Sequence, residues 1–505
     1  MDRKAILSDG LMLFGRRFWA AILGVIFTYF SAALLGPIGL GFLALLRMIP
    51  SFATIINFGW ISAACREILP LLALGQEKQS YHLRNVAYTG ELGVGIFWII
   101  GVLIYAFSAS DLSVKVGVLI AAVSIGISLF SRLMVNDMVV EKDFKIQARV
   151  GVLTATLNFV LGLAGAWLWG ALGLFAAITL VQLIEVGIYW RLRGFSLTCR
   201  WDSRELLRLT RIGIPLALLT LFGSLMGVNL WIERSIIGIQ GGLELLGLFV
   251  FSISICNQME NFLWEFLVSY QSHFWATLAK PHKKEELFHL VRKPSIILAY
   301  IAAGLGVLVI VALPPCISLF LAKYRPMQQT LWIFMLAGMI SSLACVPAIL
   351  LRSAYADEQN YFLFSRAISS ALYAAFLWVL VGKFQFGLVG AALAALLLQI
   401  SVVIFTLAKA YPFYIGNWAI FRRFIYDQLM PISFVIGTYL CCNWLFIKNG
   451  LFRSNTELLN NLLVSLITLA LSGVFLIVSL ERKTEIFSEL FRLAKSRSLA
   501  SNAPV

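Results

Sequence analysis

The sequence predicts an all-α polytopic membrane protein with 14 transmembrane helices, and three observations carry that prediction. Hydrophobic residues make up 60% of the 505 and charged residues only 13%, more apolar material than a soluble core absorbs. Apolar runs recur from end to end, near 11–35, 39–65, 86–108, 114–136, 148–169, 171–191, 212–237, 243–270, 296–321, 329–351, 361–384, 386–410, 424–447 and 458–480. Each is long enough to cross ~30 Å of hydrocarbon at ~1.5 Å per residue. Lys and Arg, finally, crowd onto alternate loops.

The first run follows Arg3 and Lys4, yet it is too long for a signal peptide and contains Arg16 and Arg17. It reads as the first span. Most of the 40 Lys and Arg fall in loops on the N-terminal side of the membrane, which predicts both termini in the cytoplasm. The formal charge of +15 therefore orients the chain, and it calls for lipid headgroups rather than nucleic acid. The clearest inside loop is "WRLRGFSLTCRWDSRELLRLTR" (190–211), where Asp202 or Ser203 suits the N-cap of a short amphipathic helix. The seven cysteines are scattered, mostly inside spans and without a CxxC, as buried small apolar residues. The tail 481–505 starts with charges and carries Ile486, Phe487, Leu490 and Phe491, the pattern of a short interfacial helix.

An internal repeat is visible. "GALGLFAAITLVQ" (170–182) and "GLVGAALAALLLQ" (387–399) coincide without a gap at Gly170/Gly387, Gly173/Gly390, Ala177/Ala394, Leu180/Leu397 and Gln182/Gln399. A weaker echo relates "GLGFLAL" (39–45) to "LLGLFVF" (245–251). Together they predict two six-span copies in the same orientation, residues 1–194 and 195–412, followed by spans 13 and 14 in 413–480 and the cytoplasmic tail 481–505. Parallel repeats with a site between them are a transporter arrangement.

Several stretches then resemble a known family. "ALLGPIGLGFLAL" (33–45) is similar to the turn between the first two helices of polysaccharide exporters, and "NFGWISAACREI" (57–68) resembles the end of their second helix. "WIERSIIGIQGGLELLGLFVFS" (231–252) is similar to the stretch joining their helices seven and eight, with Glu233 and Phe249 where the family usually has Asp and Tyr. "ISLFLAKYRPMQQTLWIF" (317–334) and "FGLVGAALAALLLQ" (386–399) follow in style and order. The resemblance covers nearly the whole chain, and its weight lies in the order of the stretches rather than in any one motif. It is to Wzx-type flippases of the multidrug/oligosaccharidyl-lipid/polysaccharide exporter superfamily. It implies two lobes in a V around a central cavity. It also implies movement of an undecaprenyl-pyrophosphate-linked oligosaccharide, an O-antigen, capsule or exopolysaccharide unit, between leaflets of a bacterial inner membrane. Partners implied are bilayer lipids, a polysaccharide polymerase and chain-length machinery.

Depth sorts the charged candidates. Arg16 and Arg17 lie ~28 Å from the turn near Leu35, where they either snorkel to headgroups or line the inner mouth of a cavity. Arg66 and Glu67 lie ~40 Å from the outer end of span two, as a structural pair or a headgroup contact, with Arg66 the further candidate for substrate binding beside Arg47, Arg16 and Arg17. Arg47 differs. In "GFLALLRMIPSF" (41–52) it sits only ~12 Å inside the outer end, where an arginine costs ~2.5–3.5 kcal/mol. Pro50 frees one backbone carbonyl that it could use; the other reading has it line a cavity and bind the pyrophosphate of a lipid carrier through its paired donors.

The acidic candidates are Glu91, Asp137, Glu185, Glu260 and Glu265. Asn257, Glu260, Asn261 and Trp264 fall on one helical face. Glu260, with Glu91 and Glu185, is a candidate coupling or gate carboxylate, or an inert hydrogen-bonding group. Glu233 and Arg234 read as an interfacial pair. No cofactor is expected, and H+ or Na+ coupling is left open.

Enzyme chemistry finds no support, because His82, His273, His282 and His289 lack metal-ligand spacing and no phosphate-binding loop is present. The alternatives within the superfamily are a multidrug cation antiporter, which would favour an acidic cavity, and a lipid II flippase, which also needs a cationic one.

Overall fold

The computed structural model describes residues 3–55, 58–140, 144–193, 198–221, 230–278, 284–351, 359–413, 418–444 and 457–484. Their regular structure is entirely helical. Thirteen α-helices follow one another: α1 Arg3–Ile55, α2 Trp60–Ala73, α3 Glu77–Ser108, α4 Leu112–Val140, α5 Phe144–Arg193, α6 Ser203–Leu221, α7 Leu230–Leu278, α8 Lys284–Phe320, α9 Gln328–Leu351, α10 Gln359–Leu377, α11 Gly387–Ala410, α12 Trp418–Asn443 and α13 Glu457–Thr484. A π-helical turn, Trp378–Lys383, extends α10. The interfacial helix expected beyond residue 484 lies outside the described residues.

Helices α1, α5 and α7 run for 53, 50 and 49 residues. At ~1.5 Å per residue each would be ~75–80 Å long, more than twice the hydrocarbon thickness. Each is broken once, at Gly36 (φ 65°, ψ 176°), at Trp169–Gly170 (Gly170 φ 59°, ψ −139°) and at Gly242 (φ 75°, ψ −179°). A left-handed φ is open to glycine because it has no Cβ to clash. Eleven segments among the described residues are long and apolar enough to cross a membrane. Three of them, Ile22–Ala53, Lys145–Leu192 and Glu233–Glu260, contain these breaks, and the eleven segments together overlap all fourteen expected runs. The correspondence read from the sequence reappears locally: Gly387 opens α11 at φ 53°, as Gly170 does in α5. A Cβ on Gly173 would meet Trp169 Cβ at 2.8 Å, and one on Gly390 would meet Phe386 Cβ at 3.0 Å.

The chain divides into two compact units, Met1–Glu265 with Asn360–Ala394, and Phe266–Gln359 with Ala395–Val505. In the first, α1 packs along α5, α4 lies against α3 and α5, and α2 is held by α3 and α6. Glycines let these helices approach closely: a Cβ on Gly117 would strike Leu46, and one on Gly95 would strike Leu129. A core of Trp60, Ile68, Val86, Tyr88, Leu133 and Leu209 joins α2, α3, α4 and α6. Trp60 donates its indole N–H to Thr210 at 2.8 Å. Asp202 caps α6 as expected, accepting the N–H groups of Arg204 (3.0 Å) and Glu205 (3.2 Å). Those bonds, Glu205's first, hold its carboxyl below the ordinary carboxylate range.

In the second unit α8 packs against α9, α12 and α13. Helix α8 contains Pro314 and Pro315. Pro315 has no N–H for the carbonyl of Val311, and Ser465 on α13 supplies the missing donor at 2.7 Å. Phe434 stacks on Phe475 at 3.6 Å, binding α12 to α13. The seven cysteines form no disulfide.

Candidate functional site

Where α1 meets the first arm of α7, two arginines lie near one another. Arg47 is exposed, and among the described residues no carboxylate pairs with it. Nor, among the described residues, does it bond the carbonyl that Pro50 releases in α1. Arg234 sits across from it and donates Nη1 to the carbonyl of Ala44 at 3.2 Å. Its Nε is buried without a partner. The two guanidiniums lie close enough to repel each other. Ser235 approaches the sulfur of Met48 at 3.7 Å, so the arms touch on either side of the arginines.

Glu233 does not form the interfacial pair with Arg234 that its position suggested. It is fully buried, and both carboxylate oxygens lack a hydrogen-bond partner among the described residues. The hydroxyl of Tyr373 on α10, itself fully buried, lies beside the same carboxylate, just outside strict hydrogen-bond geometry. The chain turn explains this outcome. Consecutive residues on a helix point ~100° apart, so Arg234 reaches α1 while Glu233 turns toward α10. Sequence reasoning had no means to find Tyr373, because the contact joins spans far apart in the chain. Arg366, two turns earlier on α10, is likewise buried and lies over the Phe362 ring at 5.1 Å.

The other candidates fall elsewhere. The side chains of Arg16, Arg17, Arg66 and Asn261 lie outside the described residues, and so do those of Trp264 and Glu265. Glu67 pairs with Arg208 of α6 at 2.6 Å. Glu91 is fully buried and meets Arg132 of α4 at 3.4 Å, within the first unit. Asp137 anchors a network in which Tyr88 donates to it at 2.8 Å and Arg84 approaches at 3.3 Å. Asn136 donates to Tyr88 at 3.1 Å, and the Cys65 thiol bonds to Asn136. These are inter-helix ties. Glu185 is half-buried on the second arm of α5, and Asn257 is half-buried on the second arm of α7. Glu260 is buried one turn beyond Cys256. Gln258 between them lies against Gly24 of α1, whose Cβ would stand 3.1 Å from its Nε2.

The second unit carries an ion triad that the sequence did not single out. Asp427 of α12 accepts from Lys483 of α13 at 2.6 Å and from Arg292 of α8 at 3.2 Å. Beside it a groove of about 570 Å³ runs along α12 and α13, lined by Met430, Leu471, Val474, Phe475, Val478 and Arg482. No His/Cys/Asp/Glu cluster suited to a metal ion occurs among the described residues.

The helical fold is similar to that of solved membrane transporters and flippases. Among solved structures the chain is similar to an inward-facing multidrug resistance MATE family transporter of the MOP superfamily (TM-score 0.62, 13% identity, 82% of this chain and 99% of that one). It is similar also to the lipid II flippase MurJ in its inward closed conformation (TM-score 0.58, 12% identity, 93% and 98%), and to a MATE in the bent conformation (TM-score 0.54, 14% identity, 83% and 96%). At these identities the likeness is one of fold. No family model matches the sequence, and no curated protein matches it. The chain is a multi-pass membrane protein whose structural relatives are transporters and flippases rather than enzymes.

Proposed function

We propose that this protein is a flippase that moves an undecaprenyl-pyrophosphate-linked oligosaccharide from the cytoplasmic to the periplasmic leaflet by alternating access. The single observation that carries the reading is the pair Arg47 and Arg234, two guanidiniums with open donors at one place inside a membrane protein. Like charges in hydrocarbon are retained where they meet an anion. A pyrophosphate offers two charged groups, and the planar fork of arginine suits its oxygens. In this reading Arg47 takes the cavity-lining role of the two the sequence offered, and Arg234 joins it. The apolar groove between α12 and α13, with Arg482 in its lining, suits a prenyl chain. Transport coupled to H+ or Na+ falls to Glu233, whose buried oxygens have no cation beside them within salt-bridge distance among the described residues and border the Tyr373 hydroxyl, ahead of Glu91, which is paired with Arg132. A polymerase and chain-length proteins are the partners such a locus would supply.

A lipid II flippase is the second reading, favoured by the MurJ likeness over 93% of this chain. It shares the cationic requirement. A multidrug cation antiporter fits less well, since the exposed charge at the site is basic.

The test is translocation in proteoliposomes loaded with an undecaprenyl-pyrophosphate-linked oligosaccharide, read by accessibility of the sugar to an external glycosidase. The wild-type chain should expose the sugar and Arg47→Ala should not, at equal reconstitution. Equal rates in the two would remove Arg47 from cargo binding. Movement of lipid II alone would transfer the protein to the second reading.

A further inference from the structure

The breaks in α1 and α7 are copies of one another. Gly36 and Gly242 share a left-handed φ followed by an extended ψ, and Gly41 and Gly247 each follow by the same interval. The echo between 39–45 and 245–251 aligns these same positions. The two turns also touch reciprocally. A Cβ on Gly41 would stand 2.0 Å from the carbonyl oxygen of Leu243, and one on Gly247 would stand 1.7 Å from that of Pro37. Leu243 is the residue after Gly242, and Pro37 is the residue after Gly36. Each turn therefore presents its glycine to the other turn's first carbonyl, the pattern of an isologous contact about a two-fold axis.

We infer that the segments Gly36–Gly41 and Gly242–Gly247 form a two-fold symmetric clasp that shuts one end of the transport pathway and parts during the cycle. The inference rests on the transporter reading of the fold and is independent of the cargo. Its faces are backbone, so the seal leaves no space for even a methyl group. The forces available at such a face are Cα–H···O contacts and close packing, each individually weak. Nearby, Arg47 follows Gly41 on the second arm of α1. Arg234, which precedes Gly242 on the first arm of α7, bonds to the carbonyl of Ala44 beside it, so two like charges oppose close approach next to the turns. Weak, position-sensitive adhesion set against repulsion gives a contact that closes well and opens cheaply. A side-chain interlock would do only the first.

The test is distance measurement by pulsed electron paramagnetic resonance in nanodiscs. Spin labels are placed on Ile38→Cys and Ile239→Cys, both exposed positions beside the turns, with the seven native cysteines replaced. Two distance populations are expected. Gly41→Ala and Gly247→Ala should each remove the short one, although alanine favours helix more than glycine does. Gly93→Ala and Gly101→Ala, where a Cβ meets nothing within 4 Å, should retain it. Arg47→Ala should retain both populations while losing binding of inorganic pyrophosphate, so that failure of the anion site and failure of the clasp read out separately. A single population in the unsubstituted protein overturns the clasp, as does a short population that survives in both Gly41→Ala and Gly247→Ala.

Discussion

The Nη1 of Arg234 lies 3.2 Å from the carbonyl oxygen of Ala44, which joins the first arm of α7 to the second arm of α1 within one turn of Arg47. This bond aims one guanidinium at the backbone and leaves the other open to solvent or cargo. The two arginines are therefore not equivalent.

Removing Arg234 should weaken anion binding without abolishing it. A charge-assisted hydrogen bond contributes ~1.5–3 kcal/mol, so Arg234→Ala should lower affinity for inorganic pyrophosphate by roughly 10- to 100-fold by calorimetry. Arg47→Lys should retain part of the affinity, since it keeps the charge and loses the fork. Unchanged affinity in Arg234→Ala would show that this arginine serves only the α1–α7 contact.

Glu233 should carry the dependence of transport on a cation gradient. Its buried, unpartnered oxygens border the Tyr373 hydroxyl, and Glu233→Gln keeps the shape while removing the charge. We expect Glu233→Gln to bind pyrophosphate normally and to lose stimulation by an imposed H+ or Na+ gradient. Stimulation equal to wild type would place coupling elsewhere, with Glu260 the next residue to test.

Ser465→Ala should destabilise the second unit. The carbonyl of Val311 would lose the donor that replaces the missing N–H of Pro315, at a cost of ~1–3 kcal/mol for a buried unsatisfied group. Ser465→Thr should recover most of it. Thermal unfolding in detergent, followed by fluorescence-detected gel filtration, measures the difference.

Asp427→Asn should also lower thermal stability, because Lys483 and Arg292 would be left facing one another without their shared acceptor. The carboxylate is 9% exposed and the lysine 21%, so the loss belongs between the surface and buried limits, ~1–3 kcal/mol. Adding Lys483→Ala to Asp427→Asn should restore part of the stability. If the two substitutions simply add, the triad contributes nothing as a unit.

The charge bias of the loops predicts the sidedness of the chain. Reporter fusions after Arg193 and at the C-terminus should both report the cytoplasm. A periplasmic signal at either position would reverse or break the topology.

Hydrophobic run length determined the helical class and the many crossings, because hydrocarbon leaves a spanning backbone almost no alternative to helix. The glycines of the repeat were legible for a similar reason, since a left-handed φ or a close backbone approach admits little else. Gly170 with Gly387, and Gly41 with Gly247, could be matched from sequence alone. Arg47 drew notice in the sequence through the cost of its depth. What the sequence did not determine was company. Arg234 read as half of an interfacial pair with Glu233, whereas the fold turns one toward Ala44 and the other toward Tyr373. Glu91 read as a candidate coupling or gate carboxylate, and α4 brings Arg132 beside it; Asp427 drew no notice until α8 and α13 supplied its cations. A span encodes its own burial in its composition. Which face of it meets which partner depends on how helices distant in the chain pack together, and only the tertiary structure decides that.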